Sequence, residues 1–79
     1  MFIDTSAVVS ILVGEPGGDR LADAIAAAKQ RLTSPLVRLE ACAVLSTRLD
    51  IAPRLAQKQV DAFLDEAGVT VIPSPTRSA

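Results

Sequence analysis

Asp4 and Glu40 are the residues of this chain whose type and setting most suggest chemistry. Asp4 closes the short apolar run Met1-Phe2-Ile3 and is followed by Thr5 and Ser6, after which Ala7 to Leu12 read as the inner face of a helix. A carboxylate that ends a strand and opens a helix stands at the carboxyl edge of a sheet, where open parallel sheets bind ligands. Asp, Thr and Ser are also good helix N-caps, so these residues alone leave a ligand site and a simple cap equally open. Glu40 sits inside the run from Pro35 to Leu49, which is apolar around most of a helical circumference. Its neighbours one turn away are Leu36, Val37 and Val44, and no basic residue stands three or four positions from it. A carboxylate in such a row is costly unless it is paired, protonated or holding a cation. Arg31 and Arg54 are candidate partners from other elements, and a half-exposed Glu in an ordinary salt bridge is the plain alternative.

Taken together the two acids say more. Helices of parallel α/β folds begin at the carboxyl edge of the sheet, so Asp4 and Glu40 are expected to project into one crevice. With no histidine in the chain, two carboxylates there suit Mg²⁺ or Mn²⁺, hard cations that take oxygen ligands. Such an ion would lower the pKa of a bound water and clamp a phosphate for in-line attack. Two acids make a thin site: magnesium can be held by one or two carboxylates plus water and phosphate, but a two-metal clamp needs more ligands.

The totals narrow the field. Seventy-nine residues allow one small domain, and 49% hydrophobic residues with only two aromatics mean a core of Ala, Val, Leu and Ile. A net charge of −1 gives no global polycation to attract nucleic acid, so an RNA partner would need a local patch or a metal. Absence of histidine excludes a His-based triad, a zinc finger and an imidazole base. The single cysteine, Cys42, lies in a helical run and reads as a small core hydrophobe. There is neither a run of about 18 apolar residues nor a basic signal-peptide start. A soluble, cytoplasmic protein with no membrane partner is expected.

The positioning elements follow in order. Residues 1–4 predict a first strand and 5–13 a first helix, ended by the breaker cluster Gly14-Glu15-Pro16-Gly17-Gly18. That cluster follows a helix and lacks a Gly-Lys-Ser/Thr ending, so it reads as a turn and not as a phosphate loop. A second helix spans 19–29, a short second strand 31–34, and a third helix starts at Pro35 and runs to Leu49. A fourth runs from Pro53 to Ala67, with Asp61, Asp65 and Glu66 on its wet side and Gly68 as its C-cap. Val69 to Pro73 predicts a third strand, and residues 74–79 a loop or disordered tail. The order is that of a parallel α/β sheet with helical crossovers and helices on both faces, three strands and four helices, incomplete as a sheet.

These residues are familiar as a set. The opening Phe-Ile-Asp-Thr-Ser-Ala-Val-Val, the Gly-Glu-Pro loop, Thr-Ser-Pro-Leu-Val-Arg-Leu-Glu-Ala and Phe-Leu-Asp-Glu-Ala-Gly-Val resemble a PIN-domain ribonuclease. More narrowly they resemble the VapC toxins of type II toxin–antitoxin modules, over nearly all of residues 1–73. The resemblance implies a PIN-like (Rossmann-like) fold and a Mg²⁺- or Mn²⁺-dependent endoribonuclease that cuts tRNA or rRNA. It also implies a homodimer neutralised by a VapB-type antitoxin that lies along a groove between helices. By that match Asp4 and Glu40 are the first two metal-binding acids, and Ser6 is the small polar residue that orders the bound water or the first carboxylate. Thr5 matches less well and reads as a cap. The remaining family aspartates have no counterpart among Asp50, Asp61, Asp65 and Glu66, so residues 1–73 correspond to the N-terminal portion of the domain. The expectation is weak metal affinity and little cleavage, or else an inactive remnant that still docks an antitoxin or dimerises through Val8, Leu12 and the aliphatic faces of the later helices.

Overall fold

The helix boundaries follow from their caps. In the computed structural model, which describes residues 1–73, the order is α1 (Thr5–Val13), α2 (Gly18–Ala27), β1 (Leu32–Thr33), α3 (Pro35–Leu49), α4 (Pro53–Glu66) and β2 (Thr70–Val71). The predicted tail, 74–79, lies outside the described residues. Asp4 caps α1 by accepting the Ala7 amide, and Gly14 ends it in the left-handed region at φ 82°, a conformation that costs a glycine little. Ser34 caps α3 by accepting the Val37 amide, with Pro35 in the first turn. Pro53 opens α4 in the same way. The breaker cluster is the turn from α1 to α2, as its composition predicts.

The sheet is smaller than the sequence predicts. It has two strands, β1 and β2, paired in parallel with Leu32 opposite Thr70 and Thr33 opposite Val71. The expected first strand, residues 1–4, is a single parallel bridge from Phe2 to Leu32. Met1 to Ile3 still lie along β1: the Ile3 amide donates to the Leu32 carbonyl at 2.8 Å and the Leu32 amide to the Met1 carbonyl at 2.9 Å. The ladder stops there because Asp4 turns directly into α1. Thr33 continues the attachment through its side chain, its fully buried hydroxyl donating to the Ile3 carbonyl at 2.8 Å.

Ile3, Val8, Val9, Ile25, Leu45, Val60 and Leu64 form the core with the fully buried Ala41 and Ala56. Ala41 is on α3 and Ala56 on α4, and side chains this small permit close approach of packed helices. Arg31 ties two helix ends together: its guanidinium donates to the carbonyls of Ala28 and Ala26, at the C-terminal end of α2, and of Ala67, at that of α4. These carbonyls are among those a helix end leaves without an internal partner. Arg31 is therefore engaged here and does not pair with Glu40.

Candidate active site

The strand-to-helix turn at Asp4 meets the middle of α3. Asp4 is exposed, and its Oδ1 accepts both the Ala7 amide at 2.9 Å and the Ser6 hydroxyl at 3.1 Å. The capping reading of Asp4 therefore describes one of its carboxylate oxygens. Thr5 is not the cap. Its hydroxyl donates to Glu40 Oε1 at 2.9 Å, and this bond holds the first residue of α1 against α3. Asp4, Thr5, Ser6 and Glu40 are thus brought to one junction by two hydroxyls, one serving each carboxylate. Among the described residues no hydrogen bond reaches Asp4 Oδ2 or Glu40 Oε2.

Glu40 is not stranded in an apolar row. Leu36 and Val44, the aliphatics on its face, are 58% and 38% exposed, and Glu40 itself is exposed. Of its one-turn neighbours only Val37 is buried. The inward face of α3 is Val37-Ala41-Leu45, and the row through Glu40 looks outward beside it. Leu39, at 66% exposure, widens that outward apolar surface.

Two clefts flank the junction, and the single crevice expected for both acids is not among them: Asp4 lines only the first and Glu40 lines neither. One, of ≈ 280 Å³, runs between the N-terminal segment, α1 and α2 and is lined by Asp4 and Ser6 together with Phe2, Ser10 and Leu21. The other, of ≈ 300 Å³, lies between α1 and α3 and is lined by Thr5, Ser6, Val9, Val44 and Arg48. At its far end Glu15 accepts the Ser10 hydroxyl and the Arg48 guanidinium, both at 2.8 Å. Those two bonds hold the Glu15 carboxyl below the usual carboxylate range.

The other acids do not join the junction. Asp61, expected to face water, is half-buried and takes both its oxygens to Arg38, at 2.6 and 2.9 Å. That bidentate contact holds the Asp61 carboxyl below the usual carboxylate range and raises the Arg38 guanidinium. Among the described residues no three acidic, His or Cys side chains lie close enough to share an ion. Two carboxylates, each with one oxygen free of hydrogen bonds among the described residues, are a donor set of the kind a single hard cation takes when it keeps several waters or substrate oxygens. It does not by itself furnish a two-ion clamp. Cys42 is half-buried, and burial pushes its thiol up, which makes it a poor nucleophile.

Thr5 is the residue that sequence reasoning undervalued. A helix has one N-cap, and once Asp4 takes that place the adjacent hydroxyl is free to reach across. Val8, expected to line a docking face, is instead 1% exposed in the core, with Leu12 packed against it.

The PIN domain family matches residues 1–79. The chain belongs to that family. It is a nuclease-type family, and membership supports a ribonuclease-like function. No match was found among the curated proteins. No helix among the described residues is long and apolar enough to cross a membrane.

Proposed function

We propose that the chain is the N-terminal portion of a VapC-like PIN ribonuclease, residues 1–73, with Asp4 and Glu40 as its first metal ligands and Ser6 as the residue that orients Asp4. The observation that carries this reading is the pair of carboxylates at one helix–helix junction, each fixed through one oxygen by a neighbouring hydroxyl, in a chain of the PIN family. Mg²⁺ or Mn²⁺, when bound, would activate a water and neutralise charge on a scissile RNA phosphate. The chain's own contribution is positional. Ser6 and the Ala7 amide hold Asp4 through Oδ1, which leaves Oδ2 without a hydrogen bond among the described residues. Two carboxylates alone hold magnesium weakly, so further oxygen ligands must come from substrate, water or residues beyond this set. RNA, as tRNA or rRNA, is the proposed substrate, and a VapB-type antitoxin and a second copy of the chain are the proposed partners.

The test is Mg²⁺- or Mn²⁺-dependent RNA cleavage with Asp4→Asn and Asp4→Ala compared. Asn keeps an oxygen that can accept the Ala7 amide and is as good a cap as Asp. In a polypeptide that also carries the domain's further acids, Asp4→Asn is therefore expected to lose cleavage with the fold intact, whereas Asp4→Ala should also lose roughly 0.5–2 kcal/mol of stability with the cap. Full cleavage by purified Asp4→Asn would refute the metal assignment. A second reading is favoured by a specific feature: Leu36, Leu39 and Leu55 are all at least half exposed, on the two helices that flank a groove of ≈ 490 Å³ lined by Leu39, Cys42, Pro53 and Gln57. In that reading the chain is a catalytically silent module that binds an antitoxin or dimerises. Capture of a VapB-type peptide without RNA cleavage would select it.

A further inference from the structure

We infer that Thr5 is a positioning residue for Glu40, setting the carboxylate of α3 for cation binding from the first turn of α1; this rests on the proposal that Asp4 and Glu40 hold a divalent ion. The two carboxylates arrive at the junction by different routes. Asp4 is placed by its own backbone, as the N-cap, and its rotamer is fixed within three residues by Ser6 and Ala7. Glu40 has no such local support: it is an exposed side chain with three rotatable bonds on another helix, and no salt bridge or basic partner engages it among the described residues. The Thr5 hydroxyl at 2.9 Å is the contact that fixes it. A carboxylate only accepts, so the hydroxyl donates, and it occupies one lone pair of Oε1 while leaving Oε2 for an ion. Loss of a protein group that orients a metal-binding side chain in this way typically costs about 10- to 100-fold in metal affinity.

The division of labour between adjacent hydroxyls follows from helix geometry. Successive residues of a helix point about 100° apart, so Thr5 and Ser6 serve different neighbours. Ser6 turns back to its own cap, and Thr5 reaches the facing helix.

The experiment titrates the full chain with Mn²⁺ and follows paramagnetic broadening of the Ala7 and Ala41 amide resonances, with thermal melting recorded for each metal-free variant. Wild type, Thr5→Val, Thr5→Ser and Asp4→Asn are compared. Valine matches threonine in shape and leaves the cap at Asp4 untouched, so Thr5→Val is expected to melt near wild type yet bind Mn²⁺ about 10-fold more weakly, the lower end of what such supporting contacts contribute. Thr5→Ser, which restores the hydroxyl, should return to within about 2-fold of wild type. Thr5→Val with wild-type Mn²⁺ affinity, whatever its melting temperature, overturns the inference, as does Thr5→Ser binding no better than Thr5→Val. Should Thr5→Val fail to fold, Thr5→Ser against Thr5→Ala decides the same question. Wild type without Mn²⁺ broadening at these amides, or broadening that survives Asp4→Asn, removes the ion site itself and is thereby distinguished from failure of Thr5 alone.

Discussion

Replacing Thr33 with valine tests how the segment that carries Asp4 is held in place. The Thr33 side chain is fully buried, and its hydroxyl donates to the Ile3 carbonyl at 2.8 Å. Ile3 is itself 2% exposed and immediately precedes Asp4. The backbone ladder between the first residues and β1 ends one step earlier, at the bridge from Phe2 to Leu32. The hydroxyl thus does what a further backbone amide would do in a longer strand. Valine has nearly the same shape, so no cavity opens, but the Ile3 carbonyl is left in an apolar setting without its donor. An unsatisfied buried polar group costs about 1–3 kcal/mol. Partial relief from burying a methyl in place of a hydroxyl puts the expected loss near the lower half of that range, roughly 1.5 kcal/mol.

In a domain of this size about 1 kcal/mol corresponds to a shift of roughly 4–8 °C in Tm, so Thr33→Val should melt about 6–12 °C below wild type. The assay is thermal and urea unfolding followed by circular dichroism, with the midpoint change read at unchanged m-value. Thr33→Ser separates the hydroxyl from the methyl: it keeps the hydrogen bond and should lose only the small cost of a missing methyl group, about 1 kcal/mol. Thr33→Val melting at or above wild type would show that this side chain does not anchor the N-terminal segment. So would Thr33→Ser proving the more damaging of the two.

Other expectations are as direct. Leu45→Ala removes a side chain with no exposure at the centre of α3, and the loss of about 2–5 kcal/mol in so small a domain should abolish a cooperative melt. Arg31→Met leaves carbonyls near the ends of α2 and α4 without their guanidinium donor, and hydrogen exchange should rise first at Val69 and Thr70, where α4 hands over to β2. The Arg38–Asp61 pair is a third to a half exposed, so a double-mutant cycle should return about 0.5–1 kcal/mol, falling with added salt. Asp61 and Glu15 both have carboxyls held below their usual range by an arginine. Their contribution is accordingly full above the unfolded carboxylate values, near 4, and is lost as pH falls through the lower folded values. Urea midpoints should drop from pH 5 to pH 2.5, and the drop should be shallower in Asp61→Asn.

How much of this could be read from residues alone depended on how local the governing interaction was. The ends of α1, α3 and α4 were legible because Asp4, Gly14, Ser34-Pro35 and Pro53 act within one turn of themselves. The first strand was overestimated because a run of apolar residues reports burial and not pairing length. Ile3 is indeed buried, yet the chain leaves β1 after one bridge, since Asp4 must already be in capping geometry. Glu40 shows the opposite limit. Helical spacing correctly put it on one face with Leu36 and Val44, but spacing cannot say which of two apolar faces turns inward. On α3 the inward row is Val37-Ala41-Leu45, whose fully buried Ala41 leaves room for the elements packed against it. That choice turns the row of Glu40 outward, where the Thr5 hydroxyl reaches it. A bulkier side chain at Ala41 should therefore disturb the Thr5–Glu40 contact before it disturbs the cap at Asp4, with Mn²⁺ broadening at Ala7 as the readout.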